Sequence, residues 1–188
     1  FKTDVLIARG YFYCPTSKNE VTGFDSYHLI QYGGKVQLWF GEAKFRTKYH
    51  QSICEIIKKL SLTISDDYLR SNILAFENHK RNLNLQGSVI EKILDDFREN
   101  PQIVIADKLQ EYNVSLVYPV LIVYDGNDNY DNNIKKMLDY LVTKYNEISP
   151  KISLSIDYKI FFMIIPIKSV STIKDEVLEC IKSKKPVI

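Results

Sequence analysis

GFDSYHLIQYGGKVQLWFGEAKF, running from Gly23 to Phe45, is the stretch on which the fold turns. Within it, Tyr27-His28-Leu29-Ile30-Gln31 is rich in strand formers, and Tyr32-Gly33-Gly34-Lys35 supplies hairpin-turn residues. Val36 to Phe45 resumes as a second strand, so the two strands pair antiparallel. Side chains alternate along a strand, which puts Glu42 and Lys44 on one side. Counted from a turn centred between Gly33 and Gly34, Asp25 and Glu42 each lie about eight residues out and face one another across the ladder. The spacing predicts a carboxylate pair with an ammonium beside it.

Outward from the hairpin, Val5, Leu6, Tyr11 and Phe12 suggest a short amphipathic helix, ended by Cys14-Pro15-Thr16-Ser17. Helical spacing follows the hairpin over Tyr49 to Leu62, Asp66 to Asn82 and Ser88 to Asn100. Ser88 with Glu91 makes a capping box for the third of these. Leu116 to Tyr124 (LVYPVLIVY) reads as a buried strand, bounded by the turn cluster Asp125-Gly126-Asn127-Asp128. Asn132 to Ile148 is helical, Leu154 to Ile167 a further strand, and Ser171 to Lys182 a last helix. The order implies a mixed α/β domain around one sheet.

The 188 residues suit a single domain, residues 1–188, that closes a full core. Because Phe1 opens inside an apparently structured segment, upstream sequence is expected to be missing. Hydrophobic residues make up 45% and charged residues 26%, the balance of a soluble globular protein. A net charge of +2 does not advertise nucleic-acid binding, though a fold can gather its lysines around one cleft. Cys14, Cys54 and Cys180 lack zinc spacing and read as reduced thiols, most of them in the core. The longest apolar runs, such as Ile160 to Ile167, are too short for a membrane span. With no signal peptide either, the expectation is a cytoplasmic protein. No phosphate-binding Gly loop, GxSxG or Walker motif is present, which disfavours helicase or ATPase activity in this chain.

The trio of Asp25, Glu42 and Lys44 has a plain chemical use. Two apposed carboxylates repel, and burying them is costly unless a cation neutralises them. Mg²⁺ or Mn²⁺ suits hard oxygen ligands and retains waters for chemistry. With the carbonyl of Ala43 as a further ligand and Lys44 orienting water or stabilising charge, the set fits phosphodiester hydrolysis. A lone Glu-x-Lys is weak evidence, since composition alone produces about one in a chain of this size. A surface ion pair on one strand face is the plainer reading. Asp157-Tyr158-Lys159 is an internal control, an acid-x-Lys without a facing carboxylate, and reads as structural. Context separates the two: Trp39-Phe40-Gly41 runs directly into Glu42 and Phe45 follows Lys44, so the charges sit in apolar strand. Gly41 would also admit a close approach of backbone or substrate.

The pattern Gly23-x-Asp25, a hairpin, then Leu38-Trp39-Phe40-Gly41-Glu42-Ala43-Lys44-Phe45 resembles the HamA nucleases of the Hachiman anti-phage defence system. A helix-strand-strand-helix opening would also fit the wider PD-(D/E)XK superfamily. The sharp likeness covers about 23 residues, from Gly23 to Phe45; beyond it only the general α/β layout agrees. The resemblance implies a restriction-endonuclease-like PD-(D/E)XK core, a mixed sheet flanked by helices. It implies Asp25 and Glu42 as metal ligands, Lys44 as catalytic lysine, DNA as substrate and a helicase partner. Superfamily members often add an acid on the first helix, where Asp4 is the nearest candidate, though a dipole-favoured helix charge explains it equally. Some use a polar residue on the helix after the lysine, where Tyr49 and Gln51 could serve.

His28 falls on the strand face opposite Asp25, and His50 and His79 lack partners at metal-ligand spacing; all three read as structural. Arg46 and Lys48 continue an alternating basic set from Lys44 that either contacts phosphates or is simply solvated. Lys80 and Arg81 read as cations at a helix end. The 13 tyrosines could stack bases, although strand propensity and packing explain most of them. Three functions stay open: a metal-dependent DNA nuclease acting in defence, an inactive adaptor that keeps the fold and binds DNA or a helicase, or a housekeeping or restriction nuclease outside defence.

Overall fold

The computed structural model describes residues 3–9, 24–32, 35–78, 86–126 and 130–184. The hairpin is its organising element. β2 (Ser26–Tyr32) and β3 (Lys35–Arg46) pair antiparallel with Ser26 opposite Gly41 and Tyr32 opposite Lys35. That register carries Asp25 to the position facing Glu42. The strands form because apolar residues recur at every second position on the buried face: Tyr27 and Leu29 on β2, Leu38 and Phe40 on β3.

The chain adds three more strands to this pair. β1 (Thr3–Arg9) lies antiparallel to β2, where an amphipathic helix is expected from the sequence. The apolar run Val5-Leu6-Ile7 is too short for its period to separate helix from strand, and the free edge of β2 offers it a ladder. The ending of that helix at Cys14 to Ser17 lies outside the described residues. β4 (Val114–Asp125) runs parallel to β3, and β5 (Tyr158–Ile167) parallel to β4. The sheet is therefore mixed, five-stranded, in the order β1-β2-β3-β4-β5.

The helices fall close to their expected places: α1 (Tyr49–Thr63), α2 (Asp66–Asn78), α3 (Val89–Glu99), α5 (Tyr130–Ile148) and α6 (Val170–Ser183). The capping box holds at α3, where the Ser88 hydroxyl accepts from the Glu91 N–H and Glu91 accepts from the Gly87 N–H. One helix has no forecast, α4 (Ile105–Glu111), whose N-cap Val104 makes no side-chain hydrogen bond. A short 3-10 turn, Ser149–Lys151, follows α5, and β5 begins at Tyr158 rather than at the expected Leu154.

The core lies between one face of the sheet and α1 to α5. Leu38, Phe40, Leu116, Tyr118, Val120 and Ile122 pack there with Ile53, Ile56, Ile73, Ile93, Leu109 and Met137. Among the described residues, α1 to α5 flank this face. On β5 the burial alternates, and Phe161, Met163 and Ile165 stay about half exposed on the far face. α6 buries only Val170, held where its N–H donates to Asp125 at 2.6 Å. Cys54 and Cys180 are free but exposed, contrary to the expected core placement. Cys54 turns away from the buried stripe of α1 and meets the Tyr140 hydroxyl at 3.2 Å. Among the described residues no helix is long and apolar enough to cross a membrane.

Candidate active site

Glu42 is the point from which the site is built. It follows Phe40 on the buried face of β3, beside Val120 of β4, and only 3% of it is exposed. A carboxylate placed there must meet cations. Two lysines supply them. Lys44, two residues along the same face, brings Nζ to 2.7 Å from Oε1. Lys59, from α1, bonds Oε2. Oε1 is buried with this ion pair but makes no hydrogen bond.

Asp25 faces this group from the end of β2. Its backbone N–H donates to the Gly41 carbonyl at 2.8 Å, and its Oδ2 accepts from the Ala43 N–H at 2.7 Å. The carboxylate thereby fixes the peptide between Glu42 and Ala43. Asp25 is exposed whereas Glu42 is not, so the pair has one solvated and one buried member. Gly41 matters through a close approach, since a Cβ there would stand 2.3 Å from the Ser26 hydroxyl oxygen. The neighbour is a strand partner rather than an incoming molecule.

An aromatic floor holds the segment before Asp25. Phe24 packs on Phe40 at 5.3 Å and Tyr118 at 5.5 Å between ring centroids, with Tyr68 edge-on at 6.2 Å. The Lys59 ammonium sits 5.0 Å from the Phe24 ring centre, a cation–π contact. The fully buried Tyr27 hydroxyl accepts from the Phe24 N–H at 3.1 Å and donates to Asn72 Oδ1 at 3.0 Å. Burial pushes the Tyr27 phenol well above its ordinary value, and the Glu42 charge adds a smaller push in the same direction. It is therefore a neutral donor at any physiological pH. Tyr27→Phe leaves two buried polar groups unpaired and is expected to cost about 1–3 kcal/mol. A thermal melt of the variant checks this through a lowered Tm.

The structure brings together Asp25, Glu42 and Lys44, and adds Lys59. Sequence reasoning passes over Lys59, although a signal exists. Ser52, Ile56 and Thr63 form a buried stripe on α1, and Lys59 falls on it. The remaining candidates separate from the site. Tyr49 packs its ring against Tyr124 at 5.4 Å and Tyr140 at 6.5 Å, while Gln51 is exposed on the first turn of α1. Asp4 is on β1 opposite Ile30, not on a helix, and its side chain lies outside the described residues. Arg46 is paired with Glu55 at 3.1 Å, and Lys48 is exposed at the N-cap of α1. His28 is paired across the ladder with Trp39, His50 stacks on Tyr49 at 3.9 Å, and His79, Lys80 and Arg81 lie outside the described residues. Asp157 and Lys159 sit near Lys35 at the opposite end of the parallel strands, away from Glu42.

The donor chemistry suits a hard divalent ion. A buried carboxylate oxygen lacks a hydrogen-bond donor, and a second carboxylate faces it across the ladder. Among the described residues, no group of three or more His, Cys, Asp or Glu gathers into a cage.

A mixed α/β sheet with a buried carboxylate between two ammonium groups, at the end of a β-ribbon, defines a class of acid–lysine strand centres. The HamA family model matches residues 6–181, and the chain belongs to the HamA family. It is thus a HamA-like protein of the Hachiman system, with a function related to defence. No curated protein and no solved structure matches it.

Proposed function

We propose that the chain is a metal-dependent nuclease of the PD-(D/E)XK type that hydrolyses phosphodiester bonds in DNA, as a defence effector with a helicase partner. The observation that carries this reading is Glu42, buried in apolar strand with Lys44 on its own face and Asp25 opposite. Asp25, Glu42 and the Ala43 carbonyl would hold Mg²⁺ or Mn²⁺. Such an ion, when bound, supplies Lewis-acid stabilisation of charge on the phosphoryl oxygens and lowers the pKa of the attacking water. Lys44 orients that water and donates to a phosphoryl oxygen as charge builds there. The Asp25 carboxylate keeps the Glu42–Ala43 peptide in place through its bond to the Ala43 N–H.

One observation favours a second reading. Two carboxylates and two ammonium groups already balance in charge, as they would in an inactive adaptor that keeps the fold and binds DNA or a helicase. Nicking of supercoiled plasmid separates the two. The nuclease reading expects nicking with Mg²⁺ or Mn²⁺ that EDTA abolishes. Nicking that proceeds undiminished in EDTA would remove the metal from the mechanism.

A further inference from the structure

The resting neighbour of Glu42 Oε2 is Lys59, and its position is specific. α1 presents it on the stripe of Ser52, Ile56 and Thr63, and the Phe24 ring lies under its ammonium. About a fifth of its side chain is exposed, toward a cavity of ≈ 490 Å³ beside α1 that Lys44, Glu55, Lys58 and Tyr68 also line. The charges of Asp25, Glu42, Lys44 and Lys59 sum to zero as they stand. A divalent ion added to that set makes it doubly positive in a half-buried place, and an ion held by both Glu42 oxygens, the undonated Oε1 and Oε2, must displace the ammonium already on Oε2. Phosphate groups of an incoming strand are the counter-charge that restores balance. The lysine-rich cavity gives them a seat next to the displaced ammonium.

Resting on the metal-dependent reading above, we propose that Lys59 is a positioning residue that makes ion binding and nucleic-acid binding interdependent. Without nucleic acid it occupies the ion's place on Glu42. With nucleic acid, its ammonium moves to a phosphate at the mouth of the cavity and frees Oε2. Linkage is reciprocal, so bound nucleic acid tightens the ion and the ion tightens nucleic acid by the same factor.

Calcium, which binds such oxygen sites and commonly fails to support cleavage, allows both affinities to be measured at equilibrium. Calorimetry gives Ca²⁺ affinity with and without a short DNA duplex, and anisotropy gives duplex affinity with and without Ca²⁺. Lys59→Met removes the competing charge and is expected to bind Ca²⁺ at least about tenfold tighter in the absence of DNA, because an ammonium at ~4 Å from a cation in a half-buried site repels it strongly. The same variant should lose most of the tightening that DNA confers on the unaltered chain. Lys59→Gln, which keeps a hydrogen-bond donor for Glu42, should move in the same direction, and Lys59→Arg should retain the coupling. A folded Lys59→Met or Lys59→Gln with unchanged or weaker Ca²⁺ affinity overturns the role of Lys59 and leaves the metal site standing. An unaltered chain that binds no Ca²⁺, Mg²⁺ or Mn²⁺, with or without DNA, overturns both.

Discussion

Glu42→Gln is expected to lower Mg²⁺-dependent DNA nicking by about 10²–10⁴-fold, the span associated with losing a positioned proton-transfer or charge-stabilising group. The substitution keeps the shape of a side chain that is only 3% exposed, so packing beside Val120 is preserved. It removes the charge that Lys44 and Lys59 both answer. Lys44→Met should reach a comparable loss by a different route, since it leaves the carboxylate but takes away the ammonium 2.7 Å from Oε1. Time courses of plasmid nicking, with circular dichroism to confirm folding, measure both. Undiminished nicking in the folded pair would remove the strand carboxylate from the chemistry.

The second large effect is on stability. Phe40→Ala should cost about 3–5 kcal/mol, as for other buried aromatic truncations. At about 2–4 °C per kcal/mol for a chain of this length, Tm should fall by roughly 6–20 °C. Phe40 is 2% exposed, stacks on Tyr118 at 5.5 Å, and meets Phe24 and Tyr27 at 5.3 Å each. The cavity left behind would lie directly under Glu42 and behind the segment that carries Asp25. Calorimetric melting measures the loss, and a fall of less than about 1 kcal/mol would mean that the aromatic floor supports little.

The hairpin was legible because a Gly-Gly turn sets register by counting, and counting needs no tertiary information. Ser26 opposite Gly41 is the outcome of that arithmetic. The meeting of Asp25 with the Glu42 neighbourhood followed from it. β1 was not legible, because Thr3 to Arg9 is short and its conformation is decided by the free edge of β2. α4 was passed over for a similar reason: seven residues with no capping side chain leave little local signal. The helix stripe marked Lys59 as inward-facing, but its meeting with Glu42 required α1 docked on β3 and β4. The parallel pairing of β3 with β4 belongs to the same category, as Val36 and Val114 meet across four intervening helices.

That long excursion has a consequence for a chain still being made. Asp25, Glu42, Lys44 and Lys59 all precede α2, whereas β4, whose Val120 stands beside Glu42, comes only after α4. A fragment ending before Val114 would hold all four charged residues but lack the strand that covers Glu42 on one side. On the proposed function, such a fragment would stay inactive until β4 lies beside Glu42.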